Sequence, residues 1–242
     1  WETNKGLHFK SIDSLFAQEP KLSVLYNESP DENNTPPAGY DVKALEYSVS
    51  NAVDVQNKLK LGAYSTRLIV FNPFNTYYEV INPKAEDNEN KLSLAGKELP
   101  VLNKEFKKED GPDFSRTTYM LLDPGSLPSG KGIGKGQEQV QKREQENFKP
   151  KESLNQGIMR MNQVFSQKTT ITIPGDFTLH AGDAIFVDAP QVSGDPENDK
   201  ENTQTGGLYI IADLCHYISA KNTLTKLNLV RDSFGRKPKS RN

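Results

Sequence analysis

Cysteine is nearly absent from this chain: Cys215 stands alone among 242 residues. A single thiol excludes an internal disulfide and any zinc site built from several cysteines, and it fits a reducing compartment. Apolar residues are scarce as well, at 34% with a mean hydropathy of −0.70, where ordinary domains carry about 45–50% counted with glycine. No apolar run approaches the ~18–20 residues that a membrane helix requires, and no secretory signal pattern opens the chain. A surplus of either charge is also missing, since 30 basic and 32 acidic residues leave a net charge of −2. That excludes an overall basic footprint for gripping nucleic acid. Only the end is locally basic, with Arg231, Arg236, Lys237, Lys239 and Arg241 in or beside a stretch that reads as a solvated tail over 233–242.

A chain of this length can hide roughly 70% of its unfolded surface. Its low apolar content therefore implies a modest core with long polar insertions, or reliance on neighbouring chains for cover. The first residue, Trp1, lies within what reads as a strand, so further residues are expected upstream.

Along the chain, Asn4, Lys5 and Gly6 form a turn signal, and Leu7 and Phe9 alternate with His8 and Lys10 as a half-buried strand would. Ser11 is placed to cap a short helical turn bearing Ile12, Leu15 and Phe16. Asn27 to Gly39 reads as a loop or boundary. Ala52, Val55, Leu59 and Ala63 recur at helical spacing, which predicts a helix from about 51 to 61, with Ser50 as cap. Leu68 to Phe71 and Tyr77 to Ile81 read as strands interrupted at Pro73. Residues 83 to 156 alternate acidic and basic groups and carry one clear apolar run, Tyr119 to Leu122. They read as an inserted, partly irregular segment.

The last third is more regular. Leu154, Ile158, Met161 and Phe165 predict a helix over Glu152 to Phe165, weakened by Gly157. Strands follow over Thr169 to Ile173, Phe177 to His180, Ala184 to Asp188, Leu208 to Ser219 and Leu224 to Val230, separated by Gly175-Asp176, Gly182-Asp183 and Lys221-Asn222 turns. Strands joined by tight turns imply a small antiparallel sheet, closed into a barrel or paired with a neighbouring subunit so that no edge stays open.

Four constellations bear on chemistry. Gly125 to Gly132 has the GxxxxGK spacing of a phosphate loop, and Asp188 at the end of AIFVD resembles a magnesium-holding aspartate. Against this, Gly132 replaces the Ser or Thr that would hold magnesium, and GIGKG is a poor helix former where helix amides should meet phosphate. A nucleotide-binding enzyme using Gly125–Gly132 is thus the alternative from another class, weighed against a surface loop. Cys215 and His216 are adjacent, but strand neighbours point to opposite faces, which predicts a buried structural cysteine rather than a catalytic dyad. His8, His180 and His216 lack the spacing that puts two zinc ligands on one helix face. The acidic clusters Asp87 to Glu89 and Glu109 to Asp110 read as solvated charge. We therefore predict no catalytic, cofactor-binding or metal residues, and no enzyme activity.

The text DFTLHAGDAIFVD, followed by GGLYIIADLCHYISAKNTLTKLNLVRDSFG, resembles the baseplate hub proteins of contractile-tailed bacteriophages. ESLNQGIMRMNQVFSQ, VSNAVDVQNKLKLGAYSTRLIVFNPF and GLHFKSIDSL look similar to further segments of that family, while residues 83 to 156 do not take part. The resemblance implies a mainly β (β-rich α+β) fold: an antiparallel β-barrel of the tail-tube or hub type, with one or two short helices and a long insertion. Under it, residues 1–39 continue from a missing upstream part, 40–82 and 157–232 form the barrel, 83–156 is the insertion and 233–242 the tail. It further implies a structural hub subunit linking tail tube to central spike. Three copies would form a pseudo-six-fold ring around a channel through which genomic DNA passes without specific binding. Partners would be the homotrimer, the spike, the tube or its adaptor, and other baseplate proteins, with no membrane and no cofactor. The place would be the virion tail baseplate, after synthesis in the host cytoplasm. A spike component of a bacterial contractile secretion or tail-like particle is the alternative within assemblies.

Overall fold

The computed structural model describes residues 1–27, 35–50, 55–72, 77–84, 92–99, 117–121, 155–189 and 205–235, and its fold is mainly β. The chain divides into two compact units. One comprises Trp1–Val53, Leu92–Val101 and Val164–Asn242; the other comprises Asp54–Lys91 and Leu102–Gln163.

The first unit opens with a hairpin of β1 (Glu2–Thr3) and β2 (Gly6–Leu7), turned at the expected Asn4-Lys5. Leu7 and Phe9 are solvent-facing rather than half-buried, because among the described residues this hairpin has no third strand. Helix α1 (Ile12–Phe16) starts where predicted, with the Ser11 hydroxyl accepting the Ser14 amide at 3.2 Å.

The main sheet has seven strands: β3 (Ser23–Leu25), β4 (Val42–Lys43), β5 (Glu46–Ser50), β9 (Gln167–Pro174), β10 (Ala184–Asp188), β11 (Gly207–Ile218) and β12 (Thr223–Arg231). Their spatial order is β4-β3-β10-β11-β12-β9-β5. The strands β10-β11-β12-β9-β5 pair antiparallel, whereas β3 runs parallel to both β10 and β4. The sequence had placed residues 1–39 outside the sheet and read Ser50 as a helix cap. In the structure Ser23–Leu25 is a strand, and Ser50 pairs with Lys168 at the end of β5. One further difference is local. Phe177 to His180 is a turn and loop, not a strand, since Leu179 is drawn down into the core.

Closure of the sheet depends on two residues. β4 and β5 lie at its opposite edges, yet only Ala44 and Leu45 separate them in the chain. The Ala44 amide donates to Leu25 O at 2.8 Å, and the next amide, Leu45, donates to Thr172 O at 2.7 Å. One extended segment, 42–50, thus lies against β3 first and β9 second, so the curled sheet meets itself there. Joining edges in this way removes unpaired backbone groups that would otherwise template aggregation.

Both faces of the sheet are covered. The inner face holds Val24, Ile171, Ile173, Ile185, Val187, Tyr209, Ile211, Leu227 and Leu229, each essentially inaccessible. The outer face is covered over β10, β11 and β12 by Phe16 of α1, Ala95 and Val164, against Ala184, Ile210 and Val230. This explains the unbroken apolar run AIFV in β10, which is buried at every position. Each such Ile, Leu or Val contributes about 1.5–3 kcal/mol on burial.

The second unit carries α2 (Val55–Lys60), which lies within the predicted helix; residues 51–54 are outside the described residues. Strands β6 (Arg67–Asn72) and β7 (Tyr77–Ile81) pair antiparallel, and β8 (Thr117–Leu121) pairs parallel to β6. The two strands expected to join the main barrel therefore belong to a sheet of their own, in which β6 is central and β8, from the segment read as an insertion, is its second neighbour. A π-helical stretch, Asn155–Arg160, runs into α3 (Met161–Gln163). The wider π turn rotates the buried side away from the expected Ile158-Met161 stripe: Met159, Arg160 and Gln163 are buried and Met161 is exposed. Arg160 Nη1 donates to Gln163 Oε1 at 2.8 Å, and Gln163 Nε2 donates to Ala63 O at 2.6 Å. Lys58 Nζ reaches Asn162 O at 2.6 Å, which ties α2 to α3.

Candidate assembly surface and the buried polar end

At the end of the sheet where β12 finishes, polar groups replace the aliphatic core. Arg231, which the sequence places at the end of the barrel segment 157–232 beside the basic tail, is 0% exposed. As the last residue of β12 it pairs with Gln167, and its guanidinium turns inward over the Tyr209 ring, 5.2 Å from the centroid. Its Nη1 donates to Gly206 O at 3.0 Å and its Nη2 to Gly235 O at 2.8 Å. Gly207, with φ of 134°, sits beside the guanidinium, and a side chain there would strain the backbone. The next two residues are equally enclosed. Asp232 Oδ1 accepts the Ala95 amide at 3.0 Å and the Ser233 hydroxyl at 2.6 Å, while Ser233 Oγ accepts the Gly96 amide at 2.6 Å. Gly96 has no room for a Cβ beneath the Phe234 and Gly235 carbonyls. Charge and hydrogen bonding thus clamp three separate pieces of chain, 95–98, 206–209 and 231–235, into one corner.

Tyr47 of β5 and Tyr26 stack beside this corner, with centroids 5.2 Å apart. Burial pushes the Tyr47 phenol from 10.0 up to about 12. The folded state therefore holds this proton more tightly than the unfolded state. Stability is unaffected below pH 10 and falls as pH rises from 10 towards about 12. Urea unfolding across that range should show a smaller alkaline loss in Tyr47→Phe than in the unsubstituted chain; equal losses would assign the effect to other groups.

The opposite end of β11 is built differently. Pairing with β12 shifts between Ile211 and Asp213, so Ala212 is the extra residue of a β-bulge. Strict alternation would put Asp213 and Cys215 on the core face with Ile211. The bulge reverses the sides from there on: Leu214 packs on the core, and Cys215 is exposed. The expectation of a buried cysteine fails for this reason. Cys215 instead shares the outer side with Tyr217, and their hydrogen bond pushes the Tyr217 pKa up. His216 faces the other way, with Nδ1 2.9 Å from Thr225 Oγ1 and its ring 4.8 Å from that of Phe177. Cys215 and His216 do not meet.

The remaining histidines are also held apart, each on its own partner. His8 stacks on Trp1 at 5.2 Å and bonds Thr3 Oγ1 at 2.8 Å, while His180 bonds Asn4 Oδ1 at 2.7 Å. Among the described residues no group of His, Cys, Asp or Glu is arranged to hold a metal ion. Asp188 is buried at the end of β10 and accepts the Tyr40 hydroxyl, so its carboxylate serves a structural contact there. Gly125–Gly132, Asp87 to Glu89 and Glu109 to Asp110 lie outside the described residues. No helix among the described residues is long and apolar enough to cross a membrane.

What the geometry offers is a surface. Exposed apolar side chains gather on two hairpins of the first unit, Leu7 and Phe9 after β2, and Tyr217 and Ile218 at the tip of β11. The sequence signal for the second group was the apolar pair beside the Lys221-Asn222 turn. Its outward direction could not be read without the bulge.

No family model matches the chain, and no curated protein matches it. Among solved structures the chain is similar to the tail protein from Neisseria meningitidis MC58, at 10% identity and a TM-score of 0.37, over 89% of this chain and 45% of that one. The chain thus spans less than half the length of that protein, and a likeness this distant carries no weight for function.

Proposed function

We propose that this chain is a non-enzymatic assembly module of a contractile phage tail, the part of a baseplate hub subunit that joins tail tube to central spike. One observation carries the reading. Two of the stretches of text that resemble hub proteins, 176–188 and 206–235, fold together as β10, β11 and β12 with the corner clamped by Arg231. The exposed apolar side chains Leu7, Phe9, Tyr217 and Ile218 add support, as groups that a neighbouring subunit would cover.

In this reading three subunits form the pseudo-six-fold ring, with tube above, spike below and DNA passing through. Near-neutral charge suits such a passage, since a strongly basic lining would hold phosphate. Immunogold labelling of tailed particles that carry this protein tests the idea. Label is expected at the junction of tube and baseplate. Particles that contain none of the protein, or carry it on the head or fibres, would sink the hub reading.

A further inference from the structure

The β11–β12 hairpin outruns the sheet that carries it. β10 pairs with β11 only between Ala184–Val187 and Gly207–Ile210, and the 182–183 turn then takes both hydrogen-bonding groups of Ile211. From Asp213 to Ile218, β11 has β12 on one side. On its other side it makes no backbone hydrogen bond among the described residues. Edge strands are ordinarily blunted by lysine, proline or a bulge. Here the bulge precedes the free stretch, and residues 214–220 contain no lysine, proline or carboxylate. Tyr217 is 54% exposed and Ile218 73%. This is a strand edge with the character of a pairing template.

The charges at its ends indicate what pairs there. Asp213 lies at one end and Lys221, in the turn, at the other, both exposed, with no charge between them except the titratable His216. Antiparallel pairing of this edge with itself sets Asp213 of each copy opposite Ile218 of the other, three residues short of Lys221 and within reach of that long side chain, and the two-fold axis makes the contact twice. Asp213 Oδ1 also accepts the Asn228 side-chain amide of its own chain at 2.6 Å. Parallel pairing would set like charges side by side. We propose that the 213–218 edge of β11 adds antiparallel to the same edge of a second copy of this chain, forming a two-fold dimer.

This contact is separate from the hub reading, because a polar ring is built head to tail and contains no such two-fold axis. It describes the free chain before assembly, when an open apolar edge would otherwise invite aggregation.

Sedimentation equilibrium of the 242-residue chain, with charge reversals at these two exposed positions, tests it. Dimer is expected for the unsubstituted chain. Asp213→Lys alone and Lys221→Asp alone should each weaken dimerisation about tenfold, and the double reversal should restore it. Those amides of 213–218 that point away from β12 should exchange hydrogen more slowly at dimer-forming concentration than on dilution. A chain monomeric at every concentration overturns the proposal. So does a dimer in which these outward amides gain no protection, or one that the single reversals leave unchanged. None of these results depends on where the protein sits in a virion.

Discussion

Arg231→Ala is expected to lower the free energy of unfolding by about 3–5 kcal/mol, the largest single-residue effect we foresee. The guanidinium donates to two carbonyls, Gly206 O and Gly235 O, from a position with no solvent access. Deleting it leaves Gly206 O buried without that donor, at about 1–3 kcal/mol, and the half-buried Gly235 O without its own, at less. It also removes the contact over Tyr209 and opens a cavity in the corner. Part of this loss is recovered, because a buried charge has its own desolvation cost. Arg231→Met separates these contributions: it fills much of the space without charge or donors, so its stability should fall between alanine and arginine. Urea unfolding followed by circular dichroism should show a lower midpoint with little change in slope. An alanine variant within about 1 kcal/mol of the unsubstituted chain would mean that the corner relaxes and that the clamp is not a clamp.

Ala44→Pro should be the next most damaging change, at about 2–4 kcal/mol. Proline has no amide to donate to Leu25 O, and Ala44 is buried at the point where the chain crosses from one sheet edge to the other. The distribution of the damage is more informative than its size. Ordinary edge fraying would release one strand. Here β3, next to one end of the strand order, and β5, at the other end, should lose hydrogen-exchange protection together, because the one segment 42–50 pairs with β3 and supplies β5. Leu45→Ala is the control, since it keeps the amide that donates to Thr172 O and removes a side chain already 44% exposed. Its cost should stay within about 0.5 kcal/mol. Protection lost in β5 alone would show that the sheet is open and merely curled.

Strong local patterns in the sequence correspond to real elements. Ile171 and Ile173 alternate with threonines and form β9; AIFVD between Gly182-Asp183 and a loop forms β10; the Lys221-Asn222 turn joins β11 to β12. Ser11 caps α1 as its position implied. In each case the deciding interaction spans a few residues, so composition and spacing carry it. The candidate surface was legible to a lesser degree. Tyr217 and Ile218 were visible as apolar residues beside a turn, but the neighbouring thiol was assigned to the wrong face.

Residue order by itself determined a β-rich chain with short helices, one thiol, balanced charge and a regular final third. Tertiary structure alone decided how that chain closes. Ser23–Leu25 and Val42–Lys43 are too short to show a period, and only pairing with β10 and β3, distant along the chain or parallel, makes them strands. Tyr77–Ile81 left the expected barrel because β6 found β8 as its other neighbour. Arg231 looks like one more charge beside a solvated tail until Gly206, Tyr209 and Gly235 converge on it. The extra residue at Ala212 exists only relative to the spacing of β12, and it sets the side to which Cys215 and Tyr217 point. Such features come from contacts between remote segments, whose geometry no local window of residues contains.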